Sequence, residues 1–258
     1  VTAYISYDDT HEDNYQRLFG PDEFRSNSEW DRLTDIWTGI PYVDQVYRRG
    51  WSTLRENLLA YVKANMELSS TLRLSVGGYY HDNEGRGDWI PPYLVDVLND
   101  GAGPQSEALG SASVNGGSAL GRIYFVDGAG NALSPRPGCT SSITFPYGGA
   151  GPNYDPACYA AGAIPVQSYR HTNYKKERYG FMIDGDWTAD LGGLDNTLRA
   201  GLWYEDQQRD ETRTWQKLTD ARVGIEFDNM PYWTQYDRSY PQEVLKWYAE
   251  DSLQLASV

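Results

Sequence analysis

The chain has 258 residues, enough for one large domain or two ordinary ones, and a formal net charge of −14. That charge repels a phosphate backbone and argues against nucleic acid as a partner. Tyr (21) and Trp (9) outnumber Phe (6), favouring rings with a polar handle, as suits a surface that is half wet and half apolar. The longest strictly apolar run is Leu58–Val62, too short for a transmembrane helix; membrane strands, whose signal is weaker, are not excluded.

Taken in chain order, period-two alternation predicts strands at 1–8, 53–68, 71–81, 175–190, 197–208 and 243–257. In the first, Val1, Ala3, Ile5 and Tyr7 oppose Thr2, Tyr4, Ser6 and Asp8. In the second, Leu58, Ala60, Val62, Ala64, Met66 and Leu68 oppose Asn57, Tyr61, Lys63, Asn65 and Glu67. The third sets Leu72, Leu74, Val76 and Tyr80 against Arg73, Ser75, Tyr79 and His81. In the fourth, Tyr179, Phe181, Ile183, Trp187 and Ala189 oppose Gly180, Met182, Asp184, Asp186 and Thr188. The fifth places Leu198, Ala200, Leu202 and Tyr204 against Arg199, Gly201, Trp203 and Glu205. The last alternates through Leu245, Trp247, Ala249, Leu253 and Leu255, with Asp251 on the apolar side, where a bulge is the expected remedy.

The connections alternate in size. Short turns are expected at Ser69-Ser70 and Gly192-Gly193, and long polar segments at 9–52, 82–174 and 209–242. Short turns on one side and long loops on the other describe the hairpins of an outer-membrane barrel. From Tyr179 to Trp187 an extended strand rises roughly 26 Å, matching the apolar band between the aromatic girdles of such barrels. The predicted fold is therefore all-β: an antiparallel up-and-down transmembrane β-barrel segment of about six strands, with lipid outside, a wet lumen inside, short periplasmic turns and long extracellular loops. Leu202 and Ile183 are expected to resist a charge, and Gly201 and Met182 to accept one. The competing fold is an extracellular β-sandwich, whose strands also alternate.

The stretches "YRRGWSTLRENLLAYVKANMEL" (47–68), "LRLSVGGYYHDNEGRGDWIPPYLVD" (72–96) and "LRAGLWYEDQQRD" (198–210) resemble the barrel of TonB-dependent outer-membrane receptors. The likeness runs along the whole chain as a strand–loop pattern, although only these stretches are distinctive. It implies a barrel of about twenty-two strands with a plugged lumen. Residues 1–258 would be part of that single domain, an internal segment without the plug domain, the TonB box or the remaining strands. The implied role of the parent is energy-dependent uptake of a scarce ligand such as a ferric siderophore, cobalamin or a saccharide, in the bacterial outer membrane. Implied partners are outer-membrane lipid and lipopolysaccharide, the small-molecule ligand, and the inner-membrane TonB energy complex through the plug. The alternative function is that of a secreted all-β carbohydrate-binding protein using exposed Trp and Tyr.

No residue set points to catalysis, so the chain is read as not an enzyme and without a cofactor. "HEDNY" (11–15) lacks the second His of a zinc-protease motif. His81 and His171, with Asp82, lack the spacing of a metal site, and hydrogen bonding is the simpler use of both. Glu205 and Asp206 point to opposite faces of a strand, whereas Asp184 and Asp186 share one and suit a wet wall. "DGAGN" (127–131) lacks the bidentate Glu of a calcium loop and reads as a turn. Cys139 and Cys158 are expected to form a disulfide closing a loop of about twenty residues, contributing roughly 3 kcal/mol in the chain-entropy model. Ligand binding is assigned to the long loop 82–174, next to His81. There Arg86 offers a planar donor fork, Trp89 a stacking face and Asp88 an orienting carboxylate for Arg86. Packing of the loop onto its neighbours is the competing use of the same residues.

Overall fold

The computed structural model describes residues 1–14, 20–26, 33–98, 112–113 and 118–255. The chain runs through β1 (Thr2–Asp13), α1 (Pro21–Ser26), α2 (Pro41–Asp44), β2 (Ser52–Glu67) and β3 (Leu72–Trp89). Short strands β4 (Leu94–Leu98), β5 (Ala112–Ser113), β6 (Ser118–Ile123), β7 (Phe125–Val126) and β8 (Ile164–Pro165) lie in the longest connection. Three long strands follow: β9 (Ser168–Asp190), β10 (Asp195–Lys217) and β11 (Trp233–Leu253).

The six long strands build one antiparallel sheet in the order β1-β2-β3-β9-β10-β11, with β5 added at the β11 edge. β1 and β11 do not pair with each other, so the sheet is open and not a closed barrel. Each predicted strand is present, and the short hairpins fall where expected. Leu68 N–H donates to the Leu72 carbonyl in one turn, and Leu191 N–H to the Leu194 carbonyl in the other, both at 2.9 Å. The second turn needs positive φ at two successive positions, met by Gly192 at 74° and Gly193 at 90°.

The strands run well past the expected boundaries, all toward the long connections. β3 continues to Trp89, β9 starts at Ser168, β10 reaches Lys217 and β11 starts at Trp233. The long connections are correspondingly shorter, 14–51, 90–167 and 218–232. Gly85 and Gly87, which fall in the long loop 82–174 expected from sequence, instead pair within the sheet, with Arg55 and Thr53 on one side and Tyr174 and Thr172 on the other. Nor is there a bulge near Asp251. The β10–β11 register is unbroken from Asn196 to Arg213 and shifts only at Arg213/Thr214. Asp251 instead accepts a hydrogen bond of 2.8 Å from Asn196 Nδ2, close to the short-turn end.

The packed core lies at the long-connection end. On one side of the sheet Ile90, Tyr169, Leu218 and Ala221 gather with Trp37, Tyr47, Ile225 and Phe227. On the other, Tyr93, Trp215 and Trp233 pack with Trp89, Val95 and Tyr124. Trp37 Nε1 donates to the Ala221 carbonyl at 3.0 Å, tying the first long connection to the third. Between them, the 90–167 connection is held by Phe125, Tyr159 and the Cys139–Cys158 disulfide, whose Cα atoms are 5.6 Å apart.

Candidate functional site

Strand pairing puts the apolar beats of all six long strands on one face. One row runs Ala3, Val62, Gly78, Phe181, Tyr204, Leu245; the next continues through Ala64, Val76, Ile183, Leu202 and Trp247. Trp187 and Leu198 close the band toward the short turns, and Tyr80 and Tyr179 toward the long connections. Nothing among the described residues covers it: Trp247 is 75% exposed, Ile5 71% and Leu245 64%. Leaving this much contiguous apolar surface in water is unfavourable, at about 25 cal/mol per Å², and such patches mark contact with a membrane or a partner.

The opposite face is polar and cross-linked from strand to strand. Arg178 Nε donates to His81 Nδ1 at 2.9 Å, and His81 Nε2 lies 2.7 Å from Asn57 Oδ1. Two tyrosines lie across glycines on the neighbouring strand. Tyr79 crosses its partner Gly180 and donates to Glu205 beyond it, while receiving the Trp203 indole N–H at 3.0 Å. Tyr248 crosses Gly201 and donates to Asp184 at 3.0 Å. The missing Cβ is what lets each ring lie down and its hydroxyl reach the next strand. Asp186 pairs with Arg199 at 3.2 Å, so the carboxylates on this face are engaged in the wall.

The four residues expected to hold ligand are divided between the faces. His81 and Trp89 belong to the polar face; Arg86 and Asp88 lie beyond the apolar band on the opposite face, in β3 and not in a loop. As strand neighbours two apart, Arg86 and Asp88 point the same way and form a bidentate pair, Nε to Oδ1 at 2.8 Å and Nη2 to Oδ2 at 3.0 Å. Tyr169 Oη donates to the same carboxylate at 2.8 Å, and His171 Nε2 lies 3.8 Å from it. Burial, reinforced by the Asp88 charge, raises the Tyr169 phenol well above its ordinary value. Burial and the nearby Arg86 hold the His171 imidazolium down to about 4, so His171 is neutral at pH 7. Arg86 and Asp88 also line a cleft of about 800 Å³ with Asp13, Arg49, Tyr169 and Phe227.

His81 and His171 face opposite ways, so they do not meet over Asp82, and no group of three or more His, Cys, Asp or Glu among the described residues is arranged to hold a metal. Asp127 serves its own turn: Oδ1 accepts from Ala129 N and Asn131 N, and Oδ2 from Asn131 Nδ2.

Trp89 joins a group that the loop reading concealed. Arg170 Cζ lies 4.5 Å from the Trp89 ring centroid and 5.9 Å from that of Trp215; Trp215 and Trp233 are 5.7 Å apart. Farther along the same face, Tyr236 has Arg238 at 4.0 Å and Arg213 at 4.9 Å from its ring. In "RDETRTW" (209–215) both beats are polar as far as Thr214, so the sequence carries no hydrophobic alternation that would mark this group. No protein-family model and no curated protein matches the chain. Its function is therefore read from the geometry.

Proposed function

We propose that these strands are a segment of an outer-membrane barrel resembling that of TonB-dependent receptors, and that the parent molecule takes up a scarce ligand. One observation carries this: a bare apolar band, roughly 26 Å tall by strand rise, spanning the sheet and backed by a polar, cross-linked face. Lipid is the medium that makes such a band favourable, and a wet lumen accommodates the opposite face. The open edges of β1 and β11 are where further strands of the barrel would pair. The packed long connections then stand on the extracellular side and the two short turns on the periplasmic side. Within this reading the ligand is a ferric siderophore, cobalamin or a saccharide, and energy comes from the inner-membrane TonB complex through a plug domain. A secreted carbohydrate-binding sheet would need a layer over the apolar band, and the described residues supply none.

The test is fluorescence of single-Trp variants of the full-length protein in vesicles. Chain-brominated lipid should quench Trp247 and Trp187 on the apolar face and leave Trp203 on the polar face bright. Equal quenching of the three, or a protein that stays soluble after detergent removal, would reject the proposal.

A further inference from the structure

Beyond the apolar band the strands sort their charges by face. On the polar face of the stretch Arg170–Arg178 in β9, Gln207–Trp215 in β10 and Trp233–Gln242 in β11, the cations are Arg170, Lys176, Arg178, Arg209, Arg213 and Arg238. Glu211 is the one carboxylate there. On the apolar side of the same stretch the balance reverses, with Glu177, Asp210 and Asp237 against Lys175. A chain with net charge −14 thus builds a cationic wall on one side of its sheet through strand parity alone.

Inside this wall, Arg238 is only 6% exposed, and its Nε and Nη2 have no hydrogen-bond partner among the described residues. The carboxylate directly across the ladder, Glu211, is taken by Arg209 Nη2 at 2.5 Å. The Tyr236 ring attracts the Arg238 charge at 4.0 Å but accepts none of its in-plane N–H groups. Arg213, beside the same ring, spends Nε on Thr172 Oγ1 at 3.2 Å. An arginine cannot shed its proton to escape burial, and a buried charge without a counter-charge is costly. Carboxylate geometry matches the unfilled fork. Toward the long connections the wall ends in the packed Trp215 and Trp233, whose accessible edges line a cleft of about 360 Å³ together with Tyr93 and Arg122. An aromatic-lined cleft next to a fork of cations suits a molecule with an apolar body and an acid group.

We propose that this wall binds an organic anion with an apolar body, with Arg238 and Arg213 holding its acid group and its body lying toward the cleft that Trp215 and Trp233 line. The proposal rests on the barrel reading for the compartment the wall faces, and on the charge pattern alone for the sign of the ligand.

The test titrates full-length protein in detergent with 1-pyrenebutyrate and, separately, with 1-pyrenebutylamine, which shares the ring system and reverses the charge. The anion should bind at least tenfold more tightly than the amine, and added salt should narrow the gap. Arg238→Gln and Arg213→Gln should each weaken pyrenebutyrate at least fivefold without improving the amine, while Lys175→Gln on the other face leaves both unchanged. Should Arg238→Gln not fold, Arg238→Lys, which keeps the charge but not the fork, should still weaken the anion. Equal affinity for the two probes, or unchanged anion binding in folded Arg213→Gln together with folded Arg238→Gln or Arg238→Lys, overturns the proposal. Lipid quenching of Trp247 in the same preparation decides the barrel reading separately, so either can fail alone.

Discussion

At Gly201 an added Cβ would overlap the Tyr248 ring and stand 2.5 Å from Asp184 Oδ1. At Gly180 it would stand 2.6 Å from Tyr79 Oη and 2.6 Å from the Tyr204 carbonyl oxygen. The two conflicts differ in what can yield. Tyr248 is half exposed on the polar face and can swing away at the loss of one hydrogen bond. The Tyr204 carbonyl is backbone in a central ladder, and moving it shifts β10 against β9. Gly201→Ala should therefore cost about 1 kcal/mol, the worth of a single hydrogen bond. Gly180→Ala should cost about 2–3 kcal/mol, in the range of overpacking with backbone movement. Urea midpoints of the two variants of the full-length protein in vesicles check this; equal and small costs would show that the tyrosines are not held by the absent side chains.

At the scale of the element, the period-two alternation in the sequence carried both the strands and their faces. The band from Tyr179 to Trp187 needed only side-chain polarity to be seen, because each strand there is apolar on one side alone. Beyond it hydrophobic alternation is no guide, since both faces carry polar residues in "TNYKK" (172–176) and "RDETR" (209–213). Glycines compounded the error, because Gly85 sits in the ladder under the Tyr174 ring instead of turning the chain. Hence Arg86 and Trp89 were placed in one loop, whereas consecutive parity sends them to opposite faces. The register sharpens the charge test. Arg at Leu202 or Ile183, directly paired in mid-band, should cost about 2–4 kcal/mol in a bilayer. Met182, on the other face, should accept Arg at much smaller cost. Gly201, expected from sequence to accept it too, is unsuitable as the control because the Tyr248 ring covers it. Equal costs at Leu202 and Met182 in a refolding titration would mean that the faces are wrongly assigned.

For the whole molecule, the decisive quantity is the unpaired backbone along β1 and β11. β5 meets β11 only at Asp237 and Arg238, beyond the apolar band, so it leaves the edge of that strand open at the level of the band. Within a hydrocarbon core about 30 Å thick, each edge would present about five to ten unpaired N–H and C=O groups. At several kcal/mol for each, the deficit reaches tens of kcal/mol, beyond the ordinary stability of a folded domain. The packed core cannot offset it, because it lies at the long-connection end and touches neither edge at band level. A polypeptide of these 258 residues alone should therefore not insert as a monomer. On the proposed barrel reading it should aggregate or associate edge to edge, and become heat-modifiable on a gel only when further strands that pair with β1 and β11 are supplied. Refolding into vesicles with and without the complementary part of the parent, followed by size measurement and gel migration before and after boiling, makes the comparison. A monodisperse, inserted, heat-modifiable monomer from these residues alone would mean that β1 and β11 find each other, and that the open sheet closes without further strands.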